Sequence, residues 1–274
     1  METKILTAGA EDMRLAGEII RKGGLVGIPT ETVYGLAANA LDGEAVKRIY
    51  EAKGRPSDNP LIVHISDFSQ WSALVTDIPE RAERLAKFFW PGPLTVILPK
   101  SDIIPKETSG GLDTVAVRMP SNEIARRFIE YSGVPIAAPS ANTSGKPSPT
   151  CASHVINDLY GKIDAIIDGG ECSVGVESTV ISLTGESPVL LRPGGITPEM
   201  LEGVLGEIRI APAVYKKPEN GIKAESPGMK YKHYAPKAKM ILFEGEPDAV
   251  KKTIVQRAEE YRLQGWTVAE LLYE

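Results

Sequence analysis

Cysteine is scarce in this chain, and so is histidine. The two cysteines, Cys151 and Cys172, stand in no metal-like spacing. They are expected as reduced thiols of a cytoplasmic protein, not as a disulfide framework. The three histidines, His64, His154 and His233, lie far apart with no H-x-x-H or H-E-x-x-H, so a dedicated zinc site is not expected. Aromatic residues make up 6% of the chain and, outside K-Y-K-H-Y at 230–234, are not interleaved with basic ones, which disfavours a stacking platform for single-stranded nucleic acid. Positive charge is not in excess: 31 Lys and Arg against 36 Asp and Glu give a net charge of −5. The surface as a whole is no nucleic-acid footprint, although a local basic groove is compatible with that balance. No apolar run approaches the ~20 residues of a membrane span. The start, M-E-T-K-I-L-T-A-G-A-E-D, lacks the basic-then-apolar order of a signal peptide. A membrane partner is therefore not expected.

Three nucleotide or hydrolase motifs are also missing. No G-x-G-x-x-G follows a strand, which removes the dinucleotide fingerprint. No G-x-S-x-G exists, which removes the hydrolase elbow. G-K-P-S at 145–148 resembles the end of a P-loop, but Ser140 stands where its first glycine belongs, and Pro147 and Pro149 oppose the helix that must follow.

What is present is a globular composition, 42% hydrophobic and 24% charged over 274 residues, enough for one large core or two domains. Apolar spacing predicts helices over 11–22, 43–52, 67–75, 79–89, 123–132 and 151–160. Apolar runs and alternation predict strands at 25–28, 61–65, 94–98, 114–119, 134–138, 165–167, 178–183 and 189–191. Helices and strands in alternation indicate an α/β sheet with helices packed on it. From about 208 the chain turns rich in proline and lysine without a period, which reads as a linker. Beyond it, 240–243 is expected as a strand, 247–263 as a helix and 267–272 as a strand. That β-α-β piece is too small to bury much core alone. It is expected to pack on the first domain or to begin a longer one. The domains expected are thus 1–207, a linker at 208–239, and 240–274.

Polar residues collect at the ends of the apolar runs. The run Leu25 to Ile28 feeds Pro29-Thr30-Glu31-Thr32, and Lys53 and Arg55 follow, framed by Gly54 and Pro56. The set grows to include Asn59, His64, Arg118, Ser140, Asn142, Ser148, Ser178 and Arg192. Taken singly, the K-x-R pair reads as a polar turn, S-A-N as a turn former, His64 as a buried strand histidine and Arg192 as a solvated strand end. Together, four cations with hydroxyl and amide donors suit phosphate and carboxylate binding, arginine as a planar fork and lysine as a point charge. Glu31 could orient one of these cations or bind Mg²⁺. A single acid makes no acid–base pair of the glycosidase kind.

Six motifs in order, P-T-E-T-V-Y-G-L, K-G-R-P-S-D-N-P-L, F-W-P-G-P-L-T, V-A-V-R-M-P, A-P-S-A-N-T-S-G, and S-T-V-I-S-L followed by L-R-P-G, resemble the YrdC-type threonylcarbamoyl-AMP synthases over roughly residues 8–207. S-P-G-M-K-Y-K-H-Y-A-P is similar to the linker of the longer, two-domain form. The resemblance implies a twisted, mostly open α/β sheet around a basic cavity. It implies synthesis of threonylcarbamoyl-AMP and pyrophosphate from L-threonine, bicarbonate and ATP with Mg²⁺. The product would serve tRNA modification in the cytoplasm, with tRNA or a downstream tRNA-modification transferase as a further partner. It assigns Lys53, Arg55, Ser140 and Asn142 to catalysis. Thr32, His64, Arg118, Ala138 and Ser178 would hold L-threonine. Arg55, Asn59, Thr114, Ser140, Ser148, Arg192 and Tyr234 would hold ATP. The segment 229–236, with Lys230, Lys232 and Tyr234, is expected to close over the cavity as a lid. Two other readings compete: an RNA-binding module, and carbamoyl transfer from carbamoyl phosphate.

Overall fold

The computed structural model describes residues 2–54, 59–215 and 239–272. The chain divides into two compact units, Met1–Tyr234 and Ala235–Glu274. Arg55, Tyr234 and the expected lid lie outside the described residues.

In chain order the first unit carries β1 (Lys4–Leu6), α1 (Ala10–Arg21), β2 (Val26–Ile28), β3 (Gly35–Asn39), α2 (Gly43–Lys53), β4 (Ile62–His64), α3 (Phe68–Leu74), α4 (Glu80–Phe89), β5 (Leu94–Pro99), α5 (Lys106–Ser109), β6 (Thr114–Arg118), α6 (Glu123–Ser132), β7 (Ile136–Ala137), α7 (Ala152–Leu159), β8 (Ala165–Ile167), β9 (Thr179–Ser182), β10 (Val189–Arg192), α8 (Pro198–Leu205) and β11 (Arg209–Ile210). Local chemistry sets the helix ends. Asp42 caps α2 by accepting from the Glu44 and Ala45 amides at 3.0 and 3.2 Å. Gly54 stops α2 in the left-handed region, φ 61°. Asn122 caps α6 through the Ala125 amide at 3.0 Å.

The described strands form one sheet in the order β1-β8-β2-β3-β7-β4-β6-β5-β9-β10-β11. Parallel and antiparallel pairs mix: β4 runs parallel to β6, while β7 lies antiparallel to both β3 and β4. One face of the sheet is covered along its length. Leu36, Val63, Val96 and Val117 there pack with Val46 and Ile49 of α2, Trp71 of α3 and Leu85 of α4. The opposite face is covered over one half only. There α1 and α6 press Met13, Ile20, Phe128 and Ile129 against Val26, Ile28, Ala37 and Ile136. Each such fully buried large side chain contributes ~1.5–3 kcal/mol. Over the other half lies a smaller apolar cluster of Ile62, Ile97, Ala116, Val180, Leu191 and Ala211. Because side chains alternate along a strand, His64 shares this second face with Ile62, and Arg118 shares it with Ala116. The register pairs His64 with Arg118, so two polar side chains emerge side by side where α1 and α6 no longer cover the sheet.

Several expectations need correction. Arg209–Ile210, expected within the linker, forms β11 and pairs in parallel with β10. Residues 35–39, 198–205 and 4–6, for which no element is expected, are β3, α8 and β1. In the second unit α9 (Pro247–Leu263) forms over the expected span. The flanking strands at 240–243 and 267–272 do not form among the described residues. A strand needs a neighbour for its backbone donors and acceptors, and no described strand of that unit offers one. No helix among the described residues is long and apolar enough to cross a membrane.

Candidate active site

A cavity opens on the half-covered face. Its lining includes Thr30, Thr32, Val33, Gly35, Lys53, Ile62, His64, Arg118, Ala138, Pro139, Ser140, Asn142, Ser144, Gly145, Glu177, Ser178 and Arg192. Strand ends deliver most of them: β2 leads into Thr30 and Thr32, β4 ends at His64, β6 at Arg118 and β10 at Arg192, while β7 runs out into Ala138–Ser140.

One wall is a relay of buried hydrogen bonds. Thr30 Oγ1 donates to the Val33 carbonyl at 2.7 Å and accepts from the Thr32 and Val33 amides at 3.2 Å each. Its proton is thereby used, so in the 2.9 Å contact between the two hydroxyls Thr32 is the donor. Arg118 Nη1 donates to Thr32 Oγ1 at 2.8 Å, and Arg118 Nε donates to the Gly92 carbonyl at 3.3 Å. Arg118 Nη2 forms an ion pair with Glu31 Oε1 at 2.7 Å. Glu31 and Arg118 are 5% and 3% exposed, so neither charge is supported by bulk water and each depends on the other. Burial raises the Glu31 pKa, but the charge and hydrogen bonding of Arg118, with the Ser121 backbone, hold the carboxyl below its ordinary value. His64 is 3% exposed, with Nδ1 3.2 Å from the Ile62 carbonyl. Its pKa is pushed down to about 3, first by burial and then by Arg118. The ring is therefore neutral at physiological pH.

The opposite wall is built on Lys53, which is 2% exposed. Its ammonium donates to the carbonyls of Ser140 and Asn142, the latter at 2.7 Å. Its own carbonyl accepts from the Ser144 amide at 3.0 Å. The lysine thus ties the S-A-N loop to the end of α2. Asn142 Nδ2 donates to the Thr143 and Lys146 carbonyls at 2.9 Å, while its Oδ1 is buried without a protein partner.

The third side is the junction of β9 and β10. Arg192 donates to the Ser178 carbonyl and hydroxyl at 3.0 Å each, and Ser178 Oγ lies 2.8 Å from Thr95 Oγ1. The P-G-G turn after Arg192 must press onto this junction. A Cβ on Gly194 would stand 2.4 Å from both the Glu177 carbonyl and the Thr179 amide. Ser148 donates to Glu177 Oε1 at 2.5 Å.

The cavity therefore gathers Lys53, Ser140, Asn142, Thr32, His64, Arg118, Ala138, Ser178 and Arg192. Ser148 stands behind Glu177. Asn59 and Thr114 do not line it: Asn59 is fully buried with its amide unpartnered, and Thr114 begins β6, roughly 13 Å along the strand from Arg118. Sequence reasoning missed Glu177, Gly35, Ser144 and Gly145 as lining. The signal available for Glu177 was its place directly before Ser178. Cys172 sits nearby, but burial first of all pushes its thiol up to about 11, so it supplies no thiolate near neutral pH. For a metal, the described residues contain no group of three or more histidine, cysteine or acidic side chains that could hold one. The unpartnered Asn142 Oδ1 and the Glu177 carboxylate are hard oxygens of the kind Mg²⁺ takes when phosphate supplies the remainder.

Comparison with known proteins places this cavity in context. Residues 18–194 match the Sua5_yciO_yrdC family, described as "Telomere recombination", and residues 196–272 match "Threonylcarbamoyl-AMP synthase, C-terminal domain". The threonylcarbamoyl-AMP synthase of Pyrococcus abyssi is 62% identical over 92% of this chain and 74% of its own length. That of Bacillus subtilis is 51% identical over 99% of this chain and 77% of its own. The crystal structure of P. abyssi Sua5 complexed with L-threonine superposes with a TM-score of 0.93 at 57% identity, covering 99% of this chain and 82% of that one. The chain belongs to the Sua5/YciO/YrdC family, among its threonylcarbamoyl-AMP synthases.

Proposed function

We propose that the chain is an L-threonylcarbamoyladenylate synthase, converting L-threonine, bicarbonate and ATP into threonylcarbamoyl-AMP, pyrophosphate and water. One observation carries the reading. A single cavity has a buried arginine, a threonine hydroxyl and a neutral histidine on one side, and Asn142 and Arg192 on the others. The first group suits a zwitterionic amino acid and the second a phosphate chain. The relatives' names and the L-threonine in the P. abyssi structure support the same assignment.

Arg118 pairs with the amino-acid carboxylate. Thr32 already donates to Thr30 and accepts from Arg118, so its remaining lone pair accepts from the substrate. Ser178, His64 and the Ala138 backbone complete this half. The threonine amine attacks bicarbonate, giving a carbamate with release of water, or attacks carbon dioxide derived from it by dehydration, giving the carbamate and a proton. A carbamate oxygen then attacks the α-phosphorus of ATP and pyrophosphate departs. Negative charge grows on the phosphates, so fixed cations and donors do most of the catalytic work. Lys53 acts here by holding the Ser140 and Asn142 backbone in place, and Arg192 by facing the phosphates. Arg55, Ser148 and Tyr234 belong to the nucleotide half of the same proposal, whereas Asn59 and Thr114 lie off the cavity. Mg²⁺ would enter with ATP, with Asn142 Oδ1 and Glu177 as its protein oxygens, and when bound it neutralises phosphate charge. The product would feed modification of the adenosine beside the anticodon of certain tRNAs in the cytoplasm, passing to a tRNA-modification transferase.

The test is incubation with ATP, labelled bicarbonate and one amino acid at a time, detecting pyrophosphate and adenylate. L-Threonine is expected to lead. Serine, short of one methyl, should follow by about 10- to 200-fold, and valine, short of the hydroxyl, should fall further behind. Equal product from valine, or none from threonine, refutes the assignment.

A further inference from the structure

The geometry points to Glu31 as a positioning residue for the amino-acid carboxylate, acting through Arg118 without itself meeting the substrate. This rests on the reading of the cavity as an amino-acid site. Arg118 lines the cavity and Glu31 does not. Two guanidinium nitrogens donate hydrogen bonds, Nε to the Gly92 carbonyl and Nη1 to the Thr32 hydroxyl, and Nη2 is ion-paired with the Glu31 carboxylate at 2.7 Å without hydrogen-bond alignment. Of five N–H groups two are used in hydrogen bonds to these acceptors, which leaves donors on the terminal nitrogens for an anion in the cavity. Without its clamp, a long arginine side chain has many rotamers to choose from.

Glu31 is itself anchored at both ends. Its carbonyl accepts from the Val174 amide at 2.8 Å, and Oε2 accepts from the Asn122 amide at 3.4 Å. Asn122 also caps α6. The carboxylate is therefore fixed by the start of a helix and by the 170s loop, and it transmits that fixed position to the guanidinium. Arg118 stands between Glu31 and the cavity, so the incoming carboxylate meets the cation first. The alternative role is simple neutralisation of a buried cation, which depends on the charge of Glu31 and not on its reach.

Two substitutions separate these roles. Glu31→Asp keeps the charge and withdraws it by one methylene. Glu31→Gln keeps the length and an oxygen facing Nη2 but removes the charge, and it gives up the weak 3.4 Å acceptor for the Asn122 amide. Calorimetric titration of wild type and both variants with L-threonine, and separately with ATP, reads the difference, alongside thermal unfolding. Positioning predicts that Glu31→Asp weakens L-threonine binding by about tenfold or more, in line with the cost of a misplaced contact of order 1 Å. Glu31→Gln unfolds at a lower temperature, because the buried Arg118 loses its counter-charge, yet binds L-threonine near wild type, and ATP affinity is unchanged in both. The proposal is overturned if Glu31→Gln binds L-threonine as poorly as Glu31→Asp, if both bind like wild type, or if Glu31→Asp loses ATP and threonine affinity alike. Each of those results leaves the cavity's assignment intact. A wild-type protein that binds ATP but no L-threonine overturns the assignment and the role of Glu31 together.

Discussion

His64 makes the stability of the first unit depend on pH in a way that can be calculated. Burial and the neighbouring Arg118 push its pKa from 6.5 down to about 3, against the opposing pull of Glu31 and the carbonyls of Ile62 and Ile136. An unfolded chain binds a proton at this histidine below about pH 6.5, while the folded chain refuses it until about pH 3. Stability conferred by the neutral ring is thus fully present above pH 6.5 and is lost as pH falls. At about pH 5 the loss amounts to ~2 kcal/mol, and the full difference of pKa corresponds to ~5 kcal/mol as an upper bound. Glu31, also lowered, adds a loss of the same sign, but only as pH approaches its own ordinary range near 4.5. Stopping at pH 5 therefore reads ~2 of the ~5 kcal/mol of the histidine's contribution with little from Glu31. The comparison is urea unfolding of wild type and His64→Asn at about pH 7.5 and 5.0, followed by the fluorescence of the buried Trp71 and Trp90. Asparagine keeps a donor near the Nδ1 position and cannot titrate. Packing lost in the variant is equal at both pH values and cancels. Wild type should lose ~2 kcal/mol more than the variant on acidification. Equal losses would show that His64 is not held neutral by its surroundings.

Arg118→Lys should weaken L-threonine binding by about 1.5–3 kcal/mol, because an ammonium cannot serve Gly92, Thr32, Glu31 and a carboxylate from one planar fork; unaltered affinity in calorimetry refutes the pairing. Gly194→Ala should lower both Tm and adenylate yield, since a Cβ 2.4 Å from the Glu177 carbonyl forces the turn, and Arg192 with it, off Ser178. A Gly194→Ala protein with wild-type Tm and turnover would show that the close approach is dispensable.

Much of the fold was legible because strong local signals agree with tertiary demand. The helix at 123–132 has a capping asparagine before it, a glycine after it and an apolar stripe that α1 receives, and it forms over those residues. β3 was missed for a physical reason. G-L-A-A-N is small and without β-branching, so nothing in it marks a strand. It is recruited because Gly35 fits against Ala138, whose Cβ would stand 3.1 Å from a side chain there, and β2 and β7 flank it. The strands expected at 240–243 and 267–272 fail for the converse reason: apolar residues suited to pairing, with no described partner.

The site was legible to the extent that it consists of polar groups at strand ends, since the register that sets His64 beside Arg118 brings those ends together. What the sequence could not express is that a buried charge must satisfy the protein before it can serve a ligand. Lys53, read as a point charge for phosphate, has its ammonium on the carbonyls of Ser140 and Asn142. Arg118, read as a carboxylate fork, is first held by Glu31, Thr32 and Gly92. A charge 2–3% exposed and left unpaired would cost several kcal/mol. These partners are what let cations stand in a cavity of an otherwise acidic protein before any substrate arrives. The same contacts set where the remaining donors point, so folding stability and substrate recognition at this cavity rest on the same bonds.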